Sequence, residues 1–511
     1  MSLAAENSQA QCSIVPTYKL KGHQSAVLCC TSAGSRVVSG AEDGVLLIHD
    51  IESAPCAASS FSAESTGTKP GPNASTTTTL PSLKPLYSVS LRGADGQAAA
   101  VASVASNPLS PETSIFAAAG SLVQHVDLRT GAVVQTYSNS KDEVNGLCVN
   151  AKGAMLAAGD DAGEAQVYDL TAGRLFKSIR NVHSNICSSV AFRAHKPWDL
   201  LTGGLDCTLA KYDFSRPKCI DRWDMNALTA AAAGSAGSGS GGGGQIFNPP
   251  FVHQLTVPPA DNQSACHWVA AARGDGAVVV LDADVSSVAS GASGPTTQVV
   301  ARGRAGGRGG AAHGTMPRGS AVGKRGEPMQ PLVLDRDLGG HTMPVCCVAF
   351  APCSSPEGHA AVLDTSKVVV PAGGCRLYSA GEDRRVILWD VGAALGARAA
   401  GMPLVNPRAV ACGGRLGAAD GVEGLSTPQR GEAVAREPNS HGTRASSNEE
   451  EGAVAGINGD GRLKGGTAVL AEVQHGRKVN QLCCMKLGGQ ELVAVASVSK
   501  FVMVYQTHLG T

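Results

Sequence analysis

The sequence has no excess of charge of either sign, few aromatic residues and no long apolar run. Its 511 residues include 42 Lys and Arg against 42 Asp and Glu, which gives no support for a nucleic-acid or anionic-membrane partner. Aromatic residues make up only 4%. The sequence contains no uninterrupted run of about 18 apolar residues, the length needed to span a membrane. The amino terminus has no apolar signal segment. These absences predict an intracellular, soluble protein of the cytoplasm or nucleus.

The 16 cysteines never show the Cys-x-x-Cys spacing that is common in zinc sites. Three adjacent pairs, Cys29-Cys30, Cys346-Cys347 and Cys483-Cys484, lie inside apolar segments instead. Because neighbouring residues of a strand point to opposite faces, such a pair cannot present two ligands to one metal ion. We therefore expect reduced, buried cysteines, with no metal and no cofactor.

The most informative stretch of the sequence is residues 340–390. An apolar segment follows His341, a second segment carries Ser379, a tight turn contains Asp383, and a third segment ends at Trp389 and an Asp. This order is typical of a WD repeat, which forms one four-stranded blade of a β-propeller. We expect the four side chains to form one buried hydrogen-bonded chain, so that each polar group is satisfied.

Weaker copies of this unit recur along the chain, and the 63 Gly fit short strands joined by many turns. The sequence therefore predicts an all-β, seven-bladed WD-repeat β-propeller covering 14–506. The blades are expected at 21–51, 86–129, 133–170, 175–214, 245–283, 332–391 and 468–506, and strand 14–20 closes the last one. Long low-complexity, disordered inserts are expected at 52–84, 228–244, 284–330 and 392–466.

Further members of the hydrogen-bonded network are expected in the other blades. They share a residue type and a place in the repeat: a His before the first strand, a hydroxyl on the second, an Asp in the next turn, or an aromatic residue near the end of the third. They are His23, Ser39 and Asp43 in blade one, Asp161 in blade three, His183, Thr202, Asp206 and Tyr212 in blade four, Asp275 in blade five and His475 in blade seven. Such Ser, His and Asp sets also resemble a catalytic triad, but they recur once per blade whereas an enzyme needs one site. No catalytic residue is predicted.

A second candidate site lies at the end of the third strand of blade two. Asp127 is followed two residues later by Arg129. This resembles the W-D-x-R box that WD-repeat substrate receptors present to damaged-DNA-binding protein 1, the adaptor of cullin-4 ubiquitin ligases. The planar donor fork of an Arg on a short loop suits an interface anchor. Val126 replaces the aromatic residue of the box, and a turn Asp followed by a solvated Arg is the other interpretation.

Several stretches resemble the WD-repeat-containing protein 53 family more closely than WD repeats in general. They are 144–150, 183–193, 204–206, 244–253 and 475–480, and the eleven residues from His183 are the most specific. The resemblance implies a seven-bladed propeller without catalysis that acts as a substrate receptor of a cullin-4 ubiquitin ligase, with the adaptor and an unknown substrate as protein partners. The family also shows Asp-x-Arg without an aromatic residue. The alternative is a scaffold, or a reader of peptides or histone tails, in another complex.

Overall fold

A computed structural model describes residues 12–54, 80–229, 248–286, 330–352, 375–406 and 468–509. These residues form seven sheets, each built around four antiparallel strands, and the predicted seven-bladed β-propeller is confirmed. Most of the residues predicted to form the long inserts lie outside the described part of the chain.

The first four blades take their strands mainly in chain order, from the innermost strand to the outermost. Blade one contains β2 (Val27–Ala33), β3 (Arg36–Ala41), β4 (Val45–Asp50) and β6 (Tyr87–Ser90). Blade two contains β7 (Val101–Ser106), β8 (Ser114–Ala119), β9 (Leu122–Asp127) and β10 (Ala132–Tyr137). Blade three contains β11 (Val144–Val149), β12 (Met155–Asp160), β13 (Ala165–Asp169) and β14 (Arg174–Ile179). Blade four contains β15 (Cys187–Phe192), β16 (Asp199–Gly204), β17 (Thr208–Asp213) and β18 (Lys218–Asp224).

The last three blades follow the same plan, and the ring closes at blade seven. Blade five contains β19 (Val252–Thr256), β20 (Trp268–Arg273), β21 (Val278–Asp282) and β22 (Leu332–Leu334), with a 3-10 turn at Gln263–Ala265. Blade six contains β23 (Val345–Phe350), β24 (Arg376–Gly381), β25 (Arg385–Asp390) and β26 (Val469–Gln474), preceded by a 3-10 turn at Arg336–Leu338. Blade seven contains β27 (Val479–Leu487), β28 (Gln490–Ser497), β29 (Phe501–His508), β1 (Ser13–Lys21) and β5 (Ser82–Leu83).

The first strand of the chain completes the last blade. β1 pairs antiparallel with β29, so that Lys19 lies opposite Met503. β5 then adds in parallel to the outer edge of β1, with Lys19 opposite Ser82. Joining the two ends of the chain in one sheet closes the ring and covers a strand edge that would otherwise be open.

The outermost strands lie one blade earlier than the sequence boundaries place them. β6 pairs with β4 in blade one, and β10 pairs with β9 in blade two. β22 likewise belongs to blade five and β26 to blade six. The reason is that the fourth strand pairs with the third strand just before it, whereas the sequence repeat begins just before the Gly-His loop. The inserts 52–84, 284–330 and 392–466 therefore interrupt connections between third and fourth strands, where a loop can lengthen without breaking a sheet.

The start of the 392–466 insert is an ordered helix, α1 (Val391–Ala399). Its Asp390 side chain caps the helix by accepting the Ala393 N–H at 2.7 Å. Ala394 and Leu395 are buried against blades five and six. The expectation of a disordered insert is thus wrong for these residues, because apolar side chains three and four positions after Val391 give the helix a buried face.

The core is divided among the seven interfaces between blades. One apolar cluster joins blades one and two, and a matching cluster joins blades seven and one, so the series has no break. Strands β8, β20 and β24 are buried along their whole length because a blade packs against each face. Each blade thus depends on both neighbours for its burial.

Hydrogen bonds from side chains also join neighbouring blades around the inner ring. The acceptors lie at the third position of an inner strand, and the donors are backbone N–H groups of the next inner strand. The pairs are Ser103 with Leu147 (3.1 Å), Ser189 with Leu255 (3.0 Å), Gln254 with Val348 (2.9 Å) and Gln481 with Cys30 (3.0 Å). An inner strand is the edge of its own sheet, so the neighbouring blade supplies partners for N–H groups that the sheet leaves unpaired.

Candidate functional site

Blade six brings together all four of its predicted network residues. His341 places Nδ1 2.9 Å from Asp383 Oδ1 and Nε2 2.8 Å from Ser379 Oγ, and Trp389 Nε1 donates to the same Oγ at 2.8 Å. Burial alone would raise the pKa of Asp383, but hydrogen bonds from His341 and from backbone N–H groups hold it below its ordinary value. This chain ties the loop before the first strand to the second and third strands.

Blade four brings together three of its four candidates. His183 bonds Asp206 Oδ1 through Nδ1 at 3.0 Å and Thr202 Oγ1 through Nε2 at 3.0 Å. Burial opposes ionisation of Asp206, but its bonds with His183 and neighbouring donors hold its pKa well below the ordinary value. The Tyr212 hydroxyl accepts from Arg222 at 3.2 Å instead of joining Thr202.

Blades one and seven contain shorter versions of the network. His23 Nε2 bonds Ser39 Oγ at 2.8 Å, while Asp43 accepts the N–H of Val45 at 3.2 Å. Within the described residues, His23 Nδ1 has no hydrogen-bond partner. His475 Nδ1 bonds the Tyr505 hydroxyl at 2.7 Å. Burial lowers the pKa of both His23 and His475 to about 4, so both rings are neutral near pH 7.

Blades three and five have no His before the first strand, and their candidate carboxylates have other partners. Asp161 accepts from the Asn145 side chain, while its fully buried neighbour Asp160 accepts the Glu164 N–H at 2.9 Å. Asp275 forms an ion pair with the buried Arg273. The structure therefore does not place Asp161 or Asp275 in a His–Asp–hydroxyl chain.

An Asp at the end of the third strand recurs in six blades. In five of them the carboxylate accepts the backbone N–H two residues later at 2.8–3.0 Å, which forms an Asx turn. These residues are Asp50, Asp127, Asp169, Asp213 and Asp282. In blade six, Asp390 accepts the Ala393 N–H, three residues later, and caps α1. Asp127 therefore has a repeated structural role.

Arg129 is what distinguishes the turn of blade two. The residues two positions after the strand-end Asp are Glu52, Arg129, Thr171, Ser215, Asp284 and Gly392. The Arg129 side chain is 70% exposed, and its guanidinium is held by Asp127 through Nε to Oδ1 (3.1 Å) and Nη2 to Oδ2 (2.8 Å). The hydrogen bonds from Arg129 lower the pKa of Asp127 to about 2. The first and third strands of each blade finish at the same end of the ring as Arg129, and we call this end the Arg129 end.

The described residues offer few groups for metal or thiol chemistry. Among them, no three or more His, Cys, Asp and Glu side chains are grouped to hold a metal ion. The described cysteines are free thiols, and burial raises the pKa of Cys29, Cys347 and Cys484. The expectation that cysteines are buried is wrong for Cys219, which is exposed on the outermost strand of blade four. In the described part of the chain, we find no helix with the length and apolarity needed to cross a membrane.

Two segments of the chain match a known family of repeats. The family model described as "WD domain, G-beta repeat" matches residues 14–50 and 333–390. The chain is similar to the WD repeat-containing protein 53 homolog of Dictyostelium discoideum, with 25% identity over 175 residues. This match covers 32% of the chain and 46% of the relative, so it spans about half of the relative's length. Among solved structures, the WD40 beta propeller domain of Doa1 aligns with 13% identity, 96% coverage of both chains and a TM-score of 0.47. The two matched segments thus carry the sequence pattern of WD repeats, and the described residues close into a ring of seven blades.

Proposed function

We propose that this protein is a non-catalytic scaffold for protein–protein interactions, of the kind that WD-repeat propellers generally provide. More specifically, we propose that it is a substrate receptor of a cullin-4 ubiquitin ligase. In this role Asp127 and Arg129 dock the adaptor, damaged-DNA-binding protein 1. The observation that carries the proposal is the exposed Arg129, the single cation at this position of the six equivalent strand-end turns.

The geometry of the turn supports a role for Arg129 as an interface anchor. The Asx turn fixes the loop backbone, and Asp127 orients the guanidinium before any partner arrives. A guanidinium has five N–H donors, so this pairing leaves donors directed towards solvent. Because the side chain is already oriented, less conformational entropy is lost on binding. A well-placed Arg of this kind contributes about 2 kcal/mol or more to an interface.

The arrangement of the histidines supports a non-catalytic role. His341 and His183 are buried, and each uses both ring nitrogens to join strands of its own blade. Groups committed to such bonds are not available to a substrate. Over the aligned third of the chain, the similarity to a WD repeat-containing protein 53 homolog supports a relationship to the WD-repeat-containing protein 53 family.

The test is direct binding of the purified full chain to purified damaged-DNA-binding protein 1. We expect the wild-type protein to bind and Arg129→Ala to lose most of the affinity. We expect Arg129→Lys to restore little of it, because Lys keeps the charge but not the planar fork. Arg180→Ala is the matched control, since Arg180 is exposed at the opposite end of blade three. Equal binding by Arg129→Ala and wild type, or no binding by wild type, would remove the adaptor hypothesis.

The alternative is a scaffold in another complex, such as a reader of peptides or histone tails. The central opening and the end of the ring opposite Arg129 are the surfaces it would use, and its binding would survive loss of Arg129. A partner captured equally by wild type and by Arg129→Ala, with no affinity for the adaptor, would favour this alternative.

A further inference from the structure

The four tryptophans of the sequence differ sharply in exposure. Trp223, Trp268 and Trp389 are buried, whereas Trp198 is 47% exposed. Trp198 lies between β15 and β16 of blade four, at the Arg129 end of the ring. Large aromatic side chains are costly to leave in water and are enriched at the centres of protein interfaces. The exposed indole therefore needs an explanation.

The loop that carries Trp198 is held at both ends. Arg193 is buried and pairs with Asp199 at 3.1 Å and with Asp284 of blade five at 2.7 Å. Inside the loop, the Lys196 carbonyl accepts the Asp199 N–H at 3.0 Å. The position of the indole is thus fixed before a partner binds, which lowers the entropy lost on association.

The indole also rests on other aromatic rings. Its centroid lies 5.4 Å from that of the buried Phe214 and 6.4 Å from that of Phe176 on blade three. The Trp198 carbonyl accepts the Phe214 N–H at 3.1 Å. Phe192 packs edge-on against Phe214 from the core side, with centroids 5.4 Å apart. One face of Trp198 is therefore supported by the core while another remains open.

The surface of blades two to four around Trp198 is basic, although the chain as a whole has no net charge. On the blade-five side, the partly exposed Asp284 is paired with Arg193. We consider the loops and strand ends of blades two to four at the Arg129 end, which are 107–113, 128–134, 150–154, 170–176, 193–199 and 214–220. Their exposed charged residues are Arg129, Lys152, Arg174, Lys196, Arg216 and Lys218 on the basic side and Glu112 on the acidic side. The strand-end carboxylates of blades two to four are engaged in their own turns. A surface of this kind attracts an acidic partner.

We propose that the Trp198 surface, formed by Trp198, Phe176, Arg174, Lys196 and Arg216, binds an acidic segment of a partner protein. An apolar side chain of the segment packs on the open face of the indole, and its carboxylates pair with the surrounding Lys and Arg. The proposal goes beyond adaptor docking, because it requires neither Arg129 nor damaged-DNA-binding protein 1. A protein segment suits the surface better than single-stranded nucleic acid, which stacks successive bases on several exposed rings. Among the Phe, Tyr and Trp rings of this surface only Trp198 is exposed, and the cations are spread over separate blades.

The experiment selects peptides from a random phage-displayed library on the immobilised full chain and measures their synthetic forms by fluorescence polarisation. We expect the selected peptides to be rich in Asp and Glu around one aromatic or aliphatic residue. Trp198→Ala should weaken their binding about thirtyfold or more, as for a central aromatic anchor. Lys196→Glu combined with Arg216→Glu should also weaken binding, and this effect should shrink at high salt because screening removes the attraction.

Two variants at the opposite end of the ring serve as matched controls. Met343→Ala removes an apolar side chain that is also 47% exposed, and Arg180→Glu reverses an exposed charge. Both should bind the peptides like wild type. Arg129 lies outside the Trp198 surface, so Arg129→Ala should keep most of the peptide affinity, which separates this result from the adaptor test. Thermal unfolding of each variant verifies that it is folded.

Three results would overturn the proposal. One is that no peptide is enriched, or that the enriched peptides lack acidic residues. Another is equal binding of the selected peptides to wild type and to the folded Trp198→Ala variant. The third is Trp198-dependent binding of polyuridylic acid in place of acidic peptides, which would assign the surface to nucleic acid.

Discussion

Replacing Asp383 with Ala removes a carboxylate on which a buried histidine depends. Asp383 accepts from His341 Nδ1 at 2.9 and 3.0 Å, and from the N–H groups of Thr342 and Arg385 at 3.1 Å each. Thr342 is exposed, so water can replace its bond, but His341 is buried and its Nδ1 would lose its partner. Leaving a buried polar group unpaired costs about 1–3 kcal/mol. We expect the free energy of unfolding to fall by this amount.

Asp43→Ala is the matched comparison, since Asp43 occupies the equivalent turn of blade one. Its carboxylate accepts the Val45 N–H at 3.2 Å, and His23 Nδ1 is already unpartnered. The loss should therefore stay below about 1 kcal/mol, as for a local turn bond. Thermal unfolding followed by circular dichroism measures both variants under the same conditions. An equal decrease in the two variants, or no decrease for Asp383→Ala, would refute the assignment of the cost to His341.

Two further predictions concern pH and the contacts between blades. The pKa of His23 and of His475 is lowered from 6.5 to about 4 by burial, so the unfolded chain binds more protons between these values. The contribution of these two histidines to the free energy of unfolding is therefore fully present above pH 6.5 and is lost as the pH falls towards 4. The loss is at most about 1.4 kcal/mol per pH unit for each histidine. Unfolding across this range should show a shallower pH dependence for His475→Asn, and an unchanged slope would contradict the burial argument. Gln254→Ala leaves the Val348 N–H without its partner from the neighbouring blade and should cost about 1–3 kcal/mol. Gln474→Ala should cost less, because the exposed Gln474 side chain bonds the Asp383 carbonyl within its own blade. Chemical denaturation compares the two, and equal losses would argue against the interblade bond.

The sequence predicted the fold because its signals are local. A Gly-His pair, an apolar strand, a turn Asp and a Trp-Asp end lie within one blade, and each copy repeats the same strand order. Counting the copies was therefore enough to predict seven blades. The network of blade six followed from the same spacing, because its four residues belong to adjacent strands of one sheet.

Positions that depend on loop content differed from the sequence-based expectations. Asp161 of blade three and Asp275 of blade five lie in turns that resemble those of blades four and six. Blades three and five, however, have no His in the loop before the first strand. Without that ring, Asp161 accepts from Asn145 and Asp275 pairs with Arg273. A carboxylate pairs with the nearest available donor. Which donor is nearest depends on the side chains that the neighbouring loop brings close to the carboxylate.

Only the tertiary structure determined the contacts between blades and the exposure of single side chains. Gln254 and Val348 are far apart in the sequence, and they meet because the ring places the inner strands of neighbouring blades side by side. Trp198, Trp223 and Trp389 are each followed by an Asp in the sequence. The ring nevertheless buries Trp223, Trp268 and Trp389 between blades and leaves Trp198 at a loop on its end. Hydrophobic pattern thus determined how many strands form and how they alternate. Only the packing of one blade against the next determined which polar groups pair and which apolar groups remain in contact with water.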